Sequence, residues 1–532
     1  MNRTLKINSP AVALKKLWER IPGYIKLTFF SAMIFGFLIH LFIITNKLPN
    51  YDDVGRLFSD FKDITNLGRW FAFAPSVISS DYSLPLVNGG LSILYIAISA
   101  CLIAKMLKIR SAGYCILLSA IMVAFPTVTC TFFFMCVADV FICSLMLACL
   151  AVYFTWKYRL GFIVGIILLT LSLGVYQAYL GIAAGLFLAL LAFDLLDGDK
   201  SKKTLITGLK YLCVLVAGLA AYMLIVKITS NNVTLSDYKG ISTMGQISLA
   251  ELPSLVIGAY KAVLGYFYYD NFNVHYGFMK YVFLATMLLS AALLIWLVIR
   301  RKFYARKLEV VLFFVFLILF PLGFNIIYVV SVVDPPHTLM IYGLTLLPIF
   351  SISLLQRVDS EFSGQTITSL KKAWIPLACW VIVAAIGLYT FGYGIKANQA
   401  YLRMDVAYQQ GYAYSSTLIT RIESVDGYTS DDEVVFIGNF RTGATFDDPT
   451  PRFSELNKMF GIVRNIPTMY NYEAFLSKYM NHTSKITKVT PDKLSDVPFD
   501  QDILKSMPVY PDDGSIRRSA DGVIVVKFVN EK

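Results

Sequence analysis

Seven charged side chains lie in the stretch LPNYDDVGRLFSDFKDITNLGRW, residues 48–70, although the whole chain is only 15% charged. The stretch follows an apolar run, so it is expected to begin where a helix leaves a membrane. Asp52 and Asp53 would be half-shielded from water there, and such a carboxylate can accept a proton from a hydroxyl group. Arg56 and Arg69 each present a planar fork of donors that suits a lipid phosphate. These residue types predict a site for a lipid-linked anionic substrate and a polar acceptor.

A structural explanation of the same stretch stays open. Apolar residues recur at three- and four-residue intervals from Val54 to Ile64, which predicts an amphipathic helix lying in the membrane interface. The charges of Asp60, Lys62 and Asp63 are therefore expected to form a solvated face. The acid pair and the arginines could equally form a salt-bridge cluster.

Other candidates combine aromatic rings with hydrogen-bonding groups, a composition suited to binding sugars. Asp139 is different, because it is an ionisable group at the edge of an apolar segment, where it faces a cavity or caps a helix. For the aromatic candidates the structural alternative is an interfacial belt. The candidate substrate-binding residues are Trp70, Asp139, Tyr176, Gln177, Asp270, His275, Asp334 and His337.

Metal and nucleotide cofactors are not required by these residues. The four histidines are widely separated, so a histidine-based metal site is not predicted. Asp52, Asp53 and Asp139 leave open a carboxylate-held Mg²⁺ or Mn²⁺, since hard cations prefer oxygen ligands. The sequence has no Gly-rich phosphate loop for a nucleotide. We therefore expect a site without a cofactor.

The elements that must position these residues are membrane-spanning helices. Hydrophobic residues make up 57% of the 532 and mean hydropathy is +0.62, too apolar for a soluble domain. Apolar runs of bilayer-crossing length predict a polytopic α-helical membrane protein with about eleven spans. The predicted spans lie near 25–45, 91–107, 113–130, 137–156, 160–176, 178–195, 207–229, 278–299, 308–330, 338–355 and 374–395.

Lysine and arginine collect in alternate connections between these runs, which predicts a cytoplasmic N-terminus. The first outer loop, 47–90, the loops 231–277 and 331–337, and everything after 396 then lie on the extracytoplasmic side. The net charge of +12 does not indicate a nucleic-acid partner. Residues 396–532 contain 16 Lys and Arg against 18 Asp and Glu, so the surplus positive charge belongs to the membrane part. There it keeps basic loops on the cytoplasmic side and attracts anionic lipid.

The composition changes after Lys396. A long helical pattern comes first, followed by the strand-like segments EVVFIG (433–438) and GVIVVKFV (522–529). These features predict a transmembrane domain over 1–395 and a small extracytoplasmic α/β domain over 396–532. We expect the second domain to bind or orient the acceptor.

Several short motifs together resemble a known family. NYDDVGR followed by GRW, then VAD beside the fourth predicted span and GVYQAYL between the fifth and sixth, are similar to bacterial Gtr-type O-antigen glucosyltransferases. This glucosyl transferase II-like family consists of GT-C membrane glycosyltransferases. The resemblance extends over roughly residues 30–400, and its most specific part is Asp-Asp-x-x-Arg followed by Gly-Arg-Trp.

The resemblance implies transfer of a sugar, typically glucose, from a polyprenyl-phosphate donor to a surface polysaccharide at the bacterial inner membrane. It assigns the base to an acid in the first outer loop, Asp52 or Asp53, in a single, inverting displacement. A separate enzyme would make the donor and a flippase would deliver it. Two alternatives remain. A transporter or flippase of lipid-linked sugars needs polar groups at mid-membrane depth. The predicted spans carry little such polarity, and His40, near the outer part of the first span, is the main exception. A polysaccharide polymerase or ligase would use a lipid-linked oligosaccharide.

Overall fold

The computed structural model describes residues 9–56, 67–229, 250–330, 336–362, 373–438, 456–463, 465–490 and 499–529. Helices dominate these ranges. They are α1 Pro10–Arg20, α2 Gly23–Thr45, α3 Tyr51–Arg56, α4 Phe73–Ser76, α5 Pro85–Met106, α6 Ala112–Ala124, α7 Pro126–Phe133, α8 Ala138–Lys157, α9 Gly161–Val175, α10 Leu180–Leu196, α11 Ser201–Thr229, α12 Leu252–Phe267, α13 Met279–Arg300, α14 Lys307–Phe324, α15 Ile327–Val330, α16 Leu346–Phe362, α17 Trp374–Glu423, α18 Tyr472–Lys478 and α19 Gln501–Ser506. The strands are β1 Glu433–Ile437, β2 Lys485–Val489, β3 Ile516–Arg518 and β4 Ile524–Lys527.

Nine helical segments in the described ranges are long and apolar enough to cross a membrane, and α9 and α12 are shorter apolar helices. The chain is therefore a largely helical membrane protein. Each of the predicted runs overlaps a helix, while the count of about eleven spans stays a prediction. The remainder of the predicted interfacial helix beyond α3, including Asp60, Lys62 and Asp63, lies outside the described residues.

Helix α12 lies in the stretch 231–277, which the sequence predicts to be an outer loop. Its 16 residues fall short of the roughly 20 that a bilayer requires. Lys261 interrupts the apolar pattern near its middle, and so hydropathy alone does not reveal the helix.

The last predicted span does not end at the predicted domain boundary. Helix α17 runs without interruption for 50 residues, from Trp374 to Glu423. At about 1.5 Å per residue, it is far longer than the roughly 30 Å hydrocarbon core of a bilayer. The segment KANQAYLRM after Ile395 contains no Gly or Pro to end a helix. The division at 395 stays a prediction, and its boundary falls inside this helix.

We call the residues after α17 the tail. Both predicted strands of the tail are confirmed, in a four-stranded sheet of order β2-β1-β4-β3. Strand β1 pairs in parallel with β2 and β4, and β3 pairs antiparallel with β4. Four consecutive residues of β1, from Val434 to Ile437, are buried, as expected for a strand covered on both faces.

The tail and the helical bundle share one continuous hydrophobic core. A single cluster of buried residues contains Phe134 of the bundle together with Leu456, Ile466 and Phe475 of the tail. We call the end of the bundle against which residues 456–463 and 465–480 pack the tail face. The loop after α2 ends at this face, so the tail helps to position the residues that follow.

Candidate active site at the tail face

Asp53 anchors α3 to the start of α8. Its side chain is almost fully buried, with 1% exposed. The carboxylate accepts hydrogen bonds from the backbone N–H of Cys136 at 2.7 Å and of Met135 at 3.3 Å, and from the Ser83 hydroxyl at 3.2 Å. Burial raises the pKa of Asp53, although the hydrogen bonds from Cys136 and Asn50 and the charge of Lys47 oppose the shift. Both carboxylate oxygens are thus engaged in holding the backbone.

Asp52 is the more accessible of the two acids. Its side chain is half-buried, and its backbone N–H donates to Asn50 Oδ1 at 2.9 Å. The Tyr470 hydroxyl of the tail donates to Asp52 Oδ1 at 3.0 Å. Burial, together with the charge of Asp52, raises the pKa of Tyr470 to about 12. This hydroxyl therefore stays protonated at neutral pH and remains a donor to the carboxylate.

The tail holds α3 through three further contacts. The Asn471 side-chain amide donates to the Tyr51 carbonyl, and Lys478 Nζ donates to the Gly55 carbonyl at 2.6 Å. The rings of Tyr51 and Tyr470 lie 5.8 Å apart between centroids. Because α3 is held between the start of α8 and the tail, the position of Asp52 depends on both.

A row of stacked rings links His337 to the loop that carries Asp52. His337 lies parallel to Phe460, with centroids 3.7 Å apart, and Phe460 stacks on Phe134 at 5.6 Å. Phe134 in turn meets Tyr51 edge-on at 5.6 Å. Gly461 makes this approach of the tail possible, because its φ is +92° and a Cβ there would lie 2.2 Å from the Phe134 ring.

Arg69 lies over a pair of aromatic rings. Its guanidinium carbon is 4.9 Å from the centroid of Phe141 and 5.0 Å from that of Tyr176. Those two rings are stacked at 4.2 Å, so the cation interacts with both. Trp70 packs directly on Gly174, where a Cβ would come within 2.6 Å of the indole. These contacts fix the end of the first loop on α8 and α9.

Gln177 fixes the same loop from the far side. Its amide nitrogen donates to the Tyr222 hydroxyl at 2.7 Å and to the Leu67 carbonyl at 3.2 Å. Tyr176 and Gln177 thus position the segment that carries Arg69. Their contacts within the described residues are to the protein itself, and the sugar-binding role predicted for them stays a prediction.

Asp139 lies in the first turn of α8 and is fully buried. Its Oδ1 accepts a hydrogen bond from Asn88 Nδ2 at 2.8 Å, and Asn88 Oδ1 accepts one from the Leu84 N–H at 2.7 Å. A carboxylate at a helix N-terminus is stabilised by the helix dipole. Asp139 and Asp53 therefore both stabilise the beginning of α8.

Asp270 and His275 form a compact turn between α12 and α13. Asp270 has φ of +49°, and its carboxylate accepts from the N–H groups of Val274 at 2.8 Å and His275 at 3.0 Å. Burial raises the pKa of Asp270. The His275 ring lies 4.9 Å from that of Tyr266, and burial lowers its pKa to about 4. Asp334, in the next loop, lies outside the described residues.

The described residues include no group of three or more His, Cys, Asp or Glu side chains placed to hold a metal ion. Asp52, Asp53 and Asp139 accordingly do not form such a group.

Arg56 ends α3, and its positive charge acts on Tyr470. Arg56 thus lies on the same short helix as Asp52 and Asp53.

Apart from Asp139 and His337, the predicted residues that the structure describes fall into three groups. Asp52, Asp53 and Arg56 lie on α3 beneath the tail, Arg69 and Trp70 lie with Tyr176 and Gln177, and Asp270 lies with His275. Sequence reasoning missed three tail residues that contact α3. They are Tyr470, Asn471 and Lys478, and no local pattern marks them, because their partners lie more than 400 positions away.

Residues 41–348 match the sequence model of the glucosyl transferase GtrII family. The match covers more than half of the 532 residues and includes all the predicted site residues. It ends before α17 and the tail. None of the curated proteins compared with the chain matches it.

Proposed function

Because the chain belongs to the glucosyl transferase GtrII family, we propose that it transfers one glucose from a polyprenyl phosphate to a hydroxyl of a surface polysaccharide. Family membership and the apolar helices already make it a membrane glycosyltransferase. The proposal adds the donor, the acceptor and the residues. A transporter of lipid-linked sugars finds no support in a transferase family.

The observation that carries the proposal is the difference between the two neighbouring acids. Asp53 is buried and accepts several hydrogen bonds from the backbone and Ser83, which leaves it little capacity to take a proton from a substrate. Asp52 is half-buried, and among the described residues its side-chain hydrogen-bond partner is Tyr470. We therefore assign the base to Asp52 and a positioning role to Asp53.

The proposed reaction is a single displacement. The acceptor hydroxyl gives its proton to Asp52 while its oxygen bonds to C1 of the glucose. The bond between C1 and the phosphate oxygen breaks, and its electron pair leaves with the polyprenyl phosphate. Arg56 and Arg69 supply positive charge for that leaving group. Attack opposite the leaving group inverts the anomeric centre.

The tail is proposed to orient the acceptor, since Tyr470 contacts the proposed base directly. Trp70, Asp139 and His337 stay candidates for contacts with the sugars, as does the turn of Asp270 and His275. In this scheme the N-terminus is cytoplasmic, the tail lies outside the bacterial inner membrane, and a separate enzyme and a flippase supply the donor.

The test is donor consumption by the purified chain in detergent. Polyprenyl-phosphate glucose labelled in the sugar is offered with surface polysaccharide, beside its galactose and mannose counterparts and a lipid-linked oligosaccharide. We expect label to move from the glucose lipid to the polymer. Consumption of the oligosaccharide lipid alone would instead identify a polymerase or ligase, and consumption of none would overturn the proposal.

A further inference from the structure

A cavity of about 240 Å³ opens beside α12. It is several times larger than the roughly 30 Å³ that a water molecule occupies in the liquid. Its polar lining consists of Lys261, Asn271, Asn325 and Tyr328, and the rest is largely apolar. An ammonium group, amides and a phenol around an apolar cavity suit an amphiphilic anion.

Lys261 is the one charged residue of α12. The preceding residue, Tyr260, donates its hydroxyl to the Ile318 carbonyl at 2.5 Å, within the candidate span Lys307–Phe324. Lys261, whose side chain is exposed, therefore lies beside a candidate membrane-spanning helix. Within the described ranges it makes no ion pair. An ammonium group beside such a helix is available to an anionic substrate or lipid group.

Two glycines on the same face of α12 shape the cavity around Lys261. Gly258, Lys261 and Gly265 follow i, i+3 and i+7, so they share one side of the helix. A Cβ at Gly258 would lie 2.6 Å from the Tyr328 ring, and one at Gly265 would lie 2.4 Å from Asn271 Nδ2. The glycines thus let Tyr328 and Asn271 pack against the helix on either side of the lysine.

The cavity is separate from the group around Arg69. Three neighbouring tyrosine rings connect the two. Tyr176 contacts Arg69, the ring centroid of Tyr179 lies 5.8 Å from that of Tyr176, and the ring centroid of Tyr342 lies 5.9 Å from that of Tyr179. Ile341, next to Tyr342, lines the cavity. The residues that line the cavity therefore differ from Phe141 and Tyr176, which contact Arg69.

We propose that this cavity, the Lys261 pocket, binds the phosphate of a polyprenyl phosphate and holds the carrier lipid outside the reaction centre. Lys261 supplies the charge, and Tyr328 and Asn271 supply hydrogen-bond donors. The apolar lining accommodates the first part of the lipid chain. The identity of the lipid rests on the proposed function, whereas the anionic character of the ligand rests on the pocket.

The experiment uses the full chain in phosphatidylcholine nanodiscs and a polyprenyl phosphate with a photoreactive group beside the phosphate. Crosslinked peptides are quantified by mass spectrometry for wild type, Lys261→Gln, Lys261→Arg and the control Lys280→Gln. We expect labelling of residues 252–267 to fall roughly tenfold or more in Lys261→Gln, the loss expected for a charge-assisted hydrogen bond. Lys261→Arg and Lys280→Gln should retain labelling.

Unlabelled competitors identify the source of the phosphate. Excess polyprenyl phosphate should abolish the labelling, while phosphatidylglycerol and inorganic phosphate should leave it. Equal labelling of wild type and Lys261→Gln would overturn the site, and equal competition by phosphatidylglycerol or inorganic phosphate would overturn the assigned ligand. Sugar transfer is measured on the same samples. Lys261-dependent labelling without transfer contradicts the proposed function alone, and transfer without such labelling contradicts the Lys261 pocket alone.

Discussion

The Tyr470 hydroxyl donates a hydrogen bond to Asp52 Oδ1 at 3.0 Å, across a sequence separation of 418 residues. The donor belongs to the tail and the acceptor to the first loop of the membrane domain. A carboxylate held from one side keeps a fixed direction for its second oxygen. The tail is therefore part of the candidate site and does more than cover it.

Tyr470→Phe removes this hydrogen bond and keeps the ring that packs against Tyr51. A hydrogen bond to a charged group is worth about 1.5–3 kcal/mol, and water can replace part of it when the Tyr470 hydroxyl is removed. We therefore expect kcat to fall several-fold. The Michaelis constant for the donor should change little. Steady-state kinetics check this, with Tyr269→Phe, which is 71% exposed, as the control. A changed donor Michaelis constant at unchanged kcat would contradict the positioning role.

Asp53→Asn should destabilise the fold. Met135 and Cys136 donate to different carboxylate oxygens, so an amide turns its N–H₂ group towards one of these two backbone donors, a mismatch that costs about 1–3 kcal/mol. Thermal unfolding in detergent measures the loss. Asp52→Asn is the matched control, since that half-buried side chain should change stability by no more than about 0.5 kcal/mol. Equal melting temperatures for the two variants would refute the anchoring role of Asp53.

Acid should weaken the fold through His275. Burial lowers the pKa of this imidazole from 6.5 to about 4, so the unfolded chain binds a proton in this range and the folded chain does not. The neutral, buried His275 ring therefore contributes fully to the free energy of unfolding above pH 6.5, and this contribution is lost as the pH falls towards 4. At 1.36 kcal/mol per pKa unit it amounts to about 3 kcal/mol.

The check compares denaturant unfolding of wild type and His275→Gln at pH 7, 5.5 and 4. The difference in unfolding free energy between the two proteins should shift by about 3 kcal/mol over this range, with wild type losing more stability. Other titrating groups are common to both proteins and cancel. A difference that stays constant with pH would show that the ring titrates normally in the folded protein.

Gly461→Ala should detach the tail from the bundle. A methyl group there would lie 2.2 Å from the Phe134 ring, at a φ of +92° that strains any side chain. Gly427→Ala is the matched control, because its φ is +69° and nothing lies within 4 Å of the added atom. Backbone strain alone costs about 1 kcal/mol at either position.

We therefore expect Gly461→Ala to lose more stability and more transfer activity than Gly427→Ala, and limited proteolysis to cut its tail faster. Identical behaviour of the two variants would mean that contact between Gly461 and Phe134 contributes nothing to docking.

Local patterns were sufficient to predict the helical membrane fold, β1 and β4, because apolar runs and strand-like segments report their own burial. The sequence predicts one site from Asp52, Asp53, Arg56 and Arg69; the first three lie together on α3, whereas Arg69 lies over Phe141 and Tyr176, and the catalytic roles stay predictions. It could not distinguish the two acids, since their environments depend on backbone groups near Cys136 and on Tyr470. It divided the chain at 395 on composition, whereas α17 continues because helix formation depends on backbone propensity as well as on hydropathy.

The Lys261 pocket could not be predicted from the sequence for the same reason. Lys261 lowers the hydropathy of α12, so the sequence predicts a loop over this segment and gives no reason to select Lys261 as a binding residue. The importance of the residue comes from Gly258 and Gly265 on the same helical face and from Tyr328 and Asn271 packed against them. Only a folded chain brings those side chains together.

The most direct test of the account is transfer of labelled glucose from polyprenyl-phosphate glucose by wild type and Asp52→Asn, purified in detergent, with and without chelator. We predict that Asp52→Asn melts like wild type and transfers at least 100-fold more slowly, the lower end of the contribution of a general base. Chelator should leave the wild-type rate unchanged. A folded Asp52→Asn protein that transfers at the wild-type rate would contradict the assignment of Asp52 as the base.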